Sequence, residues 1–136
     1  MMKKYKILLV DDSSDWLKAH SKMLDELYTK ELFDIHTATS GKQGFLKVLQ
    51  EQDFNLVITD LEMEKLFDEP YAGSWLVKNL ISREEFKNTK FLIISGAYNI
   101  WDVANSLKVQ HIAKSSLIDN PMTLMYKINE LLNLTI

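Results

Sequence analysis

The sequence predicts an α/β fold in which helices cover both faces of a parallel β-sheet. Short apolar segments alternate along the chain with longer segments whose apolar residues recur every three or four positions. A chain of 136 residues also has the size of one domain and can bury a core of its own. We therefore expect a single domain over residues 1–136, built from five strand–helix units.

Five segments are predicted to be strands. Four are almost wholly apolar and rich in Ile, Val and Leu, which is typical of strands that are buried on both faces. The fifth alternates Phe33, Ile35 and Thr37 with polar residues, which indicates an edge strand. In chain order, the predicted strands are residues 5–10, 33–38, 56–59, 91–94 and 109–113.

Helical patterns follow these strands, each with a polar residue near its start. The first helix has capping candidates in Ser13, Ser14 and Asp15, and the next three follow Ser40, Ser74 and Asn99. The last helix has the clearest pattern, with Asn120 as its cap and Pro121 at its first helical position. Only residues 61–73, an acidic stretch that contains Pro70, lie outside the alternation.

Composition excludes several classes of function. A net charge of −3 makes the chain a poor candidate for binding nucleic acid. The absence of cysteine removes disulfides, thiolate zinc sites and cysteine nucleophiles. The longest aliphatic runs, such as residues 7–10, are too short for a membrane span or a signal-peptide core. We therefore expect a cytoplasmic protein that binds neither nucleic acid nor membrane.

Polar side chains follow four of the five predicted strands. Asp11 and Asp12 come after the first strand, Asp60 after the third, Ser95 after the fourth and Lys114 after the last. Taken singly, the aspartates are explained equally well as helix caps or turn residues, and Ser95 and Lys114 are better explained as a turn residue and a surface charge. Ligands of open parallel sheets, however, bind beyond the carboxyl ends of the strands. The prediction that all these residues lie at the carboxyl edge of one sheet therefore favours a functional site.

The chemistry of this set suits phosphoryl transfer to a carboxylate. Carboxylates brought together repel one another unless a cation joins them, and oxygen ligands suit Mg²⁺. An acceptor carboxylate, a divalent cation, a lysine and a hydroxyl are the groups that such a transfer requires.

Four segments resemble the receiver domain of two-component response regulators, in the order and at the spacing of that family. They are residues 6–12 (KILLVDD), 57–63 (VITDLEM), 91–97 (FLIISGA) and 112–114 (IAK). The resemblance covers essentially the whole chain. It implies a flavodoxin-like (βα)5 doubly wound parallel sheet with strand order 2-1-3-4-5, and a site between strands one and three.

The resemblance also implies roles for the acidic residues. Asp60 matches the phosphoacceptor, which a sensor histidine kinase or a histidine phosphotransfer protein would phosphorylate. Asp11 and Asp12 match the acidic pair of the metal site. Mg²⁺ would be held by Asp12, by Asp60 and by the backbone carbonyl of Glu62. The chain itself would act as a signalling domain and not as a conventional enzyme.

Further roles fall on the last two strands. Lys114 matches the lysine that contacts the phosphoryl group, and Ser95 matches the hydroxyl that turns onto it. His111 stands where the family usually has an aromatic residue coupled to that hydroxyl, so Ser95 and His111 form the expected switch. Phosphorylation would then remodel the face around Trp101, which would contact a downstream protein that the sequence does not identify.

Several positions depart from the family pattern. Glu64 stands where a proline usually follows Met63, and Gly73 comes thirteen residues after Asp60, later than usual. The loop is therefore longer and more acidic. It is either a tolerated surface insertion or a segment that covers the site or selects the partner. Ser115 follows the lysine in place of a proline. Two positions that tune the lifetime of the phosphoryl group in the family are Glu62 and Ala97 here. The acids of the loop are Glu62, Glu64, Asp68 and Glu69.

Other interpretations stay open at this stage. The chain is expected to be a stand-alone receiver, or one piece of a longer protein. A degenerate receiver would bind its partner without being phosphorylated. An aspartyl-phosphate phosphatase is a second alternative, because Asp60-Leu61-Glu62 loosely resembles the Asp-x-Asp motif of that class. A flavodoxin-type cofactor binder is a third.

Overall fold

The computed structural model describes residues 4–28, 31–66 and 69–135, within which strands and helices alternate. The strands are β1 (Tyr5–Val10), β2 (Phe33–Ala38), β3 (Leu56–Thr59), β4 (Lys90–Ser95) and β5 (Gln110–Ala113). The helices are α1 (Ser14–Leu27), α2 (Gly41–Glu51), α3 (Ala72–Ile81), α4 (Ile100–Leu107), α5 (Lys114–Asp119) and α6 (Met122–Leu132), and a short 3-10 turn (Glu84–Phe86) precedes β4.

The five strands form one parallel sheet in the order β2-β1-β3-β4-β5. This confirms the predicted fold class and strand order. The order reverses around β1, which lies between β2 and β3. In the register of the sheet Val10 pairs with both Ala38 and Thr59. The residues that follow Val10 and Thr59 are therefore brought side by side at the carboxyl edge, where ligands of such sheets bind.

Both faces of the sheet are buried, as the nearly continuous apolar strands predict. Side chains alternate between the two faces, so Leu8 and Val10 belong to one core while Ile7 and Leu9 belong to the other. The first core includes residues of α2, α3 and α4, and the second includes residues of α1, α5 and α6. This three-layer packing fixes the positions of the strand ends.

The helices begin close to the predicted caps, with one exception. Ser13 and Ser40 cap α1 and α2, and each hydroxyl accepts a backbone N–H from the first turn. Ser74 does not cap α3, because the helix begins two residues earlier and Ser74 is buried in its first turn. Asn99 stands at the cap position of α4, but its side chain accepts the hydroxyl of Tyr71 at 2.9 Å.

Two differences from the prediction lie near the C-terminus. Strand β5 begins at Gln110, because the N–H of Val109 closes helix α4 by donating to the Ala104 carbonyl, with Lys108 in the left-handed conformation. Helix α5 was not predicted. With six residues, it has too few turns to show a periodic apolar pattern, and Leu117 is its one buried residue.

The last predicted helix is present as α6, with bounds that differ by one residue. It begins at Met122, whose N–H donates to the Asn120 side chain at 3.2 Å. Pro121 immediately precedes it and already has helical backbone angles. Among the described residues, no helix combines the length and the apolar character needed to span a membrane.

Candidate functional site

Three aspartates meet at the carboxyl edge of the sheet. Asp11 and Asp12 follow β1 and Asp60 follows β3, and a carboxylate oxygen from each lies within 4.8 Å of the other two. Asp11 is 1% exposed and Asp60 is 7% exposed, whereas Asp12 lies in solvent. The cluster therefore has a buried floor of two acids and one acid at its rim.

Backbone hydrogen bonds hold the two buried aspartates in place. The N–H of Asp60 donates to the Val10 carbonyl at 2.9 Å, which extends the ladder one residue beyond β3. Oδ1 of Asp60 accepts the N–H of Leu61 at 2.7 Å, and Oδ1 of Asp11 accepts the N–H of Ser13 at 2.9 Å. Each carboxylate thus has one oxygen fixed by the chain, and Oδ2 is left to contact other groups.

Lys114 supplies the positive charge opposite these acids. Its Nζ lies 3.2 Å from Oδ2 of Asp11 and 3.2 Å from Oδ2 of Asp60. Burial acts to lower the pKa of Lys114, but attraction to Asp60 and then to Asp11 outweighs it, so the pKa rises above its usual value of 10.5. The side chain therefore carries its full charge at neutral pH.

Two aromatic rings of α1 flank this lysine. Nζ of Lys114 lies 5.5 Å from the ring centroid of Trp16, and that ring stacks on His20 with 3.7 Å between centroids. Burial lowers the pKa of His20 from its usual 6.5, against the weaker raising effects of its hydrogen bond to the Trp16 carbonyl and of Asp11. Sequence reasoning assigned neither Trp16 nor His20 to the site. The spacing of four residues on one helix face was the available signal that Trp16 and His20 lie together.

Gly73 brings the start of α3 against the backbone of Asp60. Its N–H donates to the Leu61 carbonyl at 3.0 Å. A Cβ on Gly73 would lie 2.0 Å from the Asp60 carbonyl oxygen and 2.8 Å from the Cα of Leu61. Only a residue without a side chain fits at this distance, which explains the glycine at the opening of the helix.

His111 lies on β5, as predicted, whereas Ser95, predicted to follow β4, is the last residue of that strand. Ser95 is fully buried at the end of β4, and it pairs in register with Ala113, the residue before Lys114. Its Oγ accepts the N–H of Ala97 at 3.1 Å. His111 is half-buried and pairs with Ile93. The phosphate-contacting role of Ser95 and the switch role of both residues stay predictions.

The acidic loop contacts both neighbouring helices. The side chain of Glu62 is exposed, but that of Glu64 reaches α2, where its two oxygens accept the N–H groups of Gly41 and Lys42 at 2.7 and 3.0 Å. Glu69 pairs with Lys78 of α3 at 2.7 Å. Sequence reasoning did not find the role of Glu64, because its partners lie more than twenty residues away and no local pattern joins them. Asp68, also counted among the loop acids, lies outside the described residues.

The donor set fits a hard divalent cation. Asp11, Asp12 and Asp60 offer only oxygen atoms, and the exposed position of Asp12 leaves one side of the cluster open to water. Mg²⁺ in proteins typically uses one or two carboxylates and retains several waters. The residues present can therefore hold the ion that the sequence predicts.

The fold has many solved relatives. CheY4 of Vibrio cholerae is 20% identical, with a TM-score of 0.75 over 95% of this chain and 99% of that one. CheY6 of R. sphaeroides, solved in complex with the P1 domain of CheA3, is 17% identical, with a TM-score of 0.72 over 96% and 98%. The phosphorylated cyanobacterial phytochrome response regulator RcpA is 18% identical, with a TM-score of 0.72 over 94% and 93%.

A search of curated protein sequences found no significant match. At identities near one in five, the solved relatives establish the flavodoxin-like fold that the sheet order already shows. Membership of a family rests on a match to a protein-family model. This match covers residues 7–116 and therefore includes all four strand ends that carry the site. The chain thus belongs to the response regulator receiver domain family, the signalling domains of two-component systems.

Proposed function

We propose that this chain is a phosphorylation-switched signalling module, in which Asp60 accepts a phosphoryl group and the modified domain signals through protein–protein contacts. The observation that carries the proposal is the setting of the Asp60 carboxylate. One oxygen is fixed by the N–H of Leu61, and the other lies 3.2 Å from the Lys114 ammonium. A phosphoryl group on that second oxygen would lie within reach of a fixed positive charge.

The transfer itself needs no further reactant from the chain. The Asp60 carboxylate attacks the phosphorus of a phosphohistidine, a P–O bond forms and the P–N bond breaks. The departing imidazole nitrogen keeps the electron pair and takes a proton from solvent. Lys114 stabilises the charge on the transferred group. The buried hydroxyl of Ser95 supplies a further donor at the same edge, because Ser95 lies two residues beyond Ile93, the residue of β4 that pairs with Thr59.

Mg²⁺ is the proposed cofactor. Asp12, Asp60 and the backbone carbonyl of Glu62 would hold it, and Asp11 would complete the acidic cluster. A bound Mg²⁺ offsets the negative charge of the phosphoryl group beside these carboxylates. Asp12 is the exposed member of the cluster, so it is the acid through which an ion from solvent first reaches the site.

The proposed donor is a sensor histidine kinase or a histidine phosphotransfer protein in the cytoplasm. The complex of CheY6 with the P1 domain of CheA3 supports this class of partner, because that protein shares the fold of this chain. The proposed output is contact with a downstream protein through α4 and the loop before it. Trp101 of the helix is 61% exposed, and Tyr98 of the loop is 97% exposed. Neither nucleic acid nor membrane is a proposed partner.

A small-molecule phosphodonor tests the function directly. The protein is incubated with the donor and Mg²⁺, and its mass is compared with that of Asp60→Asn. We expect one phosphoryl adduct on the wild type and none on the variant. Asp53→Asn is the matched control, because Asp53 is exposed and has φ of 57°, a conformation that Asn also adopts readily.

Two results would contradict the proposal. An equal mass gain in Asp60→Asn would place the modification elsewhere. No gain in the wild type, together with partner binding that is indifferent to the donor, would identify a degenerate receiver that binds constitutively. Colour from a flavin or steady turnover of a phosphate ester would point to the cofactor-binding or phosphatase alternatives.

A further inference from the structure

The start of helix α2 has an unusual set of hydrogen-bond partners. The first four N–H groups of any helix lack partners within it. In α2 the first two, from Gly41 and Lys42, donate to the two carboxylate oxygens of Glu64 at 2.7 and 3.0 Å. Gln43 donates to the Ser40 hydroxyl, and Gly44 makes the first ordinary bond of the helix, to the Ser40 carbonyl. The N–H groups of Gly41, Lys42 and Gln43 are thus all satisfied, two of the three by the loop after β3.

Glu64 lies four residues beyond Asp60, and hydrogen bonds hold the segment between them at both ends. At its first end, Asp60 is bonded to the Val10 carbonyl, and Leu61 is buried and accepts the N–H of Gly73. At its other end, the half-buried carboxylate of Glu64 is bonded to two backbone N–H groups. Glu62 is in the middle of this short span, with its side chain in solvent.

The hydrogen bonds between the Glu64 carboxylate and the start of α2 hold their end of the segment strongly. A carboxylate that accepts two N–H groups at a helix N-terminus gains charge-assisted hydrogen bonds and favourable interaction with the helix dipole. Glu69, another acid of the loop, instead pairs with the side chain of Lys78, which is 54% exposed. A rigid backbone partner constrains the loop more than a flexible exposed lysine does.

Building on the proposed function, we infer that Glu64 is a positioning residue for the metal site. By joining the loop to the N-terminus of α2, it fixes the backbone of Glu62, whose carbonyl is the proposed third ligand of Mg²⁺. Glu64 therefore acts on the affinity of the site for the cation without contacting the cation.

The test measures Mg²⁺ binding to the unphosphorylated protein. Mg²⁺ is titrated while tryptophan fluorescence is followed, because Trp16 stacks beside Lys114 at the site. Glu64→Ala removes both acceptor oxygens, and we expect its dissociation constant for Mg²⁺ to rise roughly tenfold, as for other groups that orient metal ligands. Glu64→Gln keeps one acceptor oxygen, so we expect a smaller rise, in the same direction.

Two control variants separate positioning from general loosening of the fold. Glu69→Gln removes a carboxylate from the same loop but leaves the hydrogen bonds of Glu64 to α2, so we expect wild-type affinity for Mg²⁺. Ser40→Ala removes another cap of α2 but leaves Glu64 in place. It should lower the urea midpoint and leave the affinity for Mg²⁺ unchanged.

The outcomes distinguish a failure of the positioning role of Glu64 from a failure of the proposed function. Wild-type affinity in both Glu64 variants would overturn the positioning role and leave the proposed function standing. A loss in Ser40→Ala as large as that in Glu64→Ala would also overturn it, since the effect would then run through helix stability. If the wild type does not bind Mg²⁺ but Asp60 still accepts a phosphoryl group, the metal site fails and Glu64 has nothing to position.

Discussion

The Nζ of Lys114, which follows β5, lies 3.2 Å from Oδ2 of Asp60, which follows β3, although β4 separates these two strands. The same nitrogen lies 3.2 Å from Oδ2 of Asp11. Two buried carboxylates this close to one another would repel strongly without a cation between them. Lys114 is thus the chain's own counter-charge for an edge that is otherwise acidic.

Replacing Lys114 with methionine should therefore destabilise the fold. Lys114→Met keeps the apolar stem and leaves Asp11 and Asp60 buried without their partner, which should lower the free energy of unfolding by about 2 kcal/mol. Urea unfolding in low salt without Mg²⁺ measures this. Added Mg²⁺ should recover part of the loss, because an ion that binds only the folded state stabilises it. Lys22→Met removes an exposed pair with Glu26 and should change little. Equal midpoints for the two variants would contradict this account.

Tyr28 should make the protein sensitive to alkali. Its buried hydroxyl donates to Oδ1 of Asn129 at 2.7 Å, and burial raises its pKa from 10.0 to about 12. Because the pKa is higher in the folded state, the stabilisation is full below pH 10 and is lost as pH rises towards 12. Tyr28→Phe should be less stable at neutral pH and should lose less stability over that window.

The measurement is urea unfolding at several alkaline pH values. Lys114 also has a raised pKa, so its contribution fades above its usual value of 10.5 in the wild type and in Tyr28→Phe alike. The difference between the two proteins therefore isolates Tyr28. Parallel loss of stability in both across the window would show that the hydroxyl ionises normally in the folded state.

His20 should give the opposite pH dependence on the acid side. Burial lowers its pKa from 6.5, so the unfolded chain takes up the proton first. The stabilisation by neutral His20 is therefore complete above pH 6.5 and is lost as pH falls through the lowered pKa. His20→Gln should lose less stability over this range.

The stacking of His20 on Trp16 offers a second readout of the same titration. Protonation of the imidazole should quench Trp16 fluorescence, with a midpoint below the usual histidine pKa of 6.5. The difference in emission between the wild type and His20→Gln removes the signal of the other tryptophans. A midpoint at or above the usual value would contradict the buried, neutral state of this ring.

Gly73→Ala should disrupt the site, whereas Gly96→Ala should be tolerated. A Cβ on Gly73 would overlap the Asp60 carbonyl, and the backbone atoms in its way cannot rotate aside. We expect a loss of about 3 kcal/mol or failure to fold, as for severe overpacking. Nothing lies within 4 Å of a Cβ on Gly96, so that variant should unfold within about 0.5 kcal/mol of the wild type. Similar midpoints for the two would refute the close approach.

The parts of the fold that were predicted correctly depend on local sequence. The segments of β1 and β3 are continuous apolar runs because parallel strands are covered on both faces, and that pattern is visible without knowledge of their partners. The predicted bounds of β1, β2 and β3 agree with the structure. Asp11 and Asp60 could be assigned to one edge for the same reason, since each directly follows a strand.

Features that depend on distant contacts were not predicted. Glu64 contacts Gly41 across more than twenty residues, and a glutamate in an acidic loop gives no sign of such a partner. Helix α5 is too short for periodicity to reveal, and its position is set by burial of Leu117. Helix α3 begins at Ala72, before Ser74, and its first turn lies against the backbone of Asp60, a contact between separate parts of the chain.

The fixed position of Gly73 also bears on how this domain tolerates change. Gly73 and Glu64 secure the two ends of the long loop independently, one against Asp60 and the other against α2. Residues added or removed between those points need not shift either end. Length and sequence in that interval can therefore diversify, by drift or by design, while the cluster of aspartates keeps its shape. This segment is thus a natural place to graft a new recognition element.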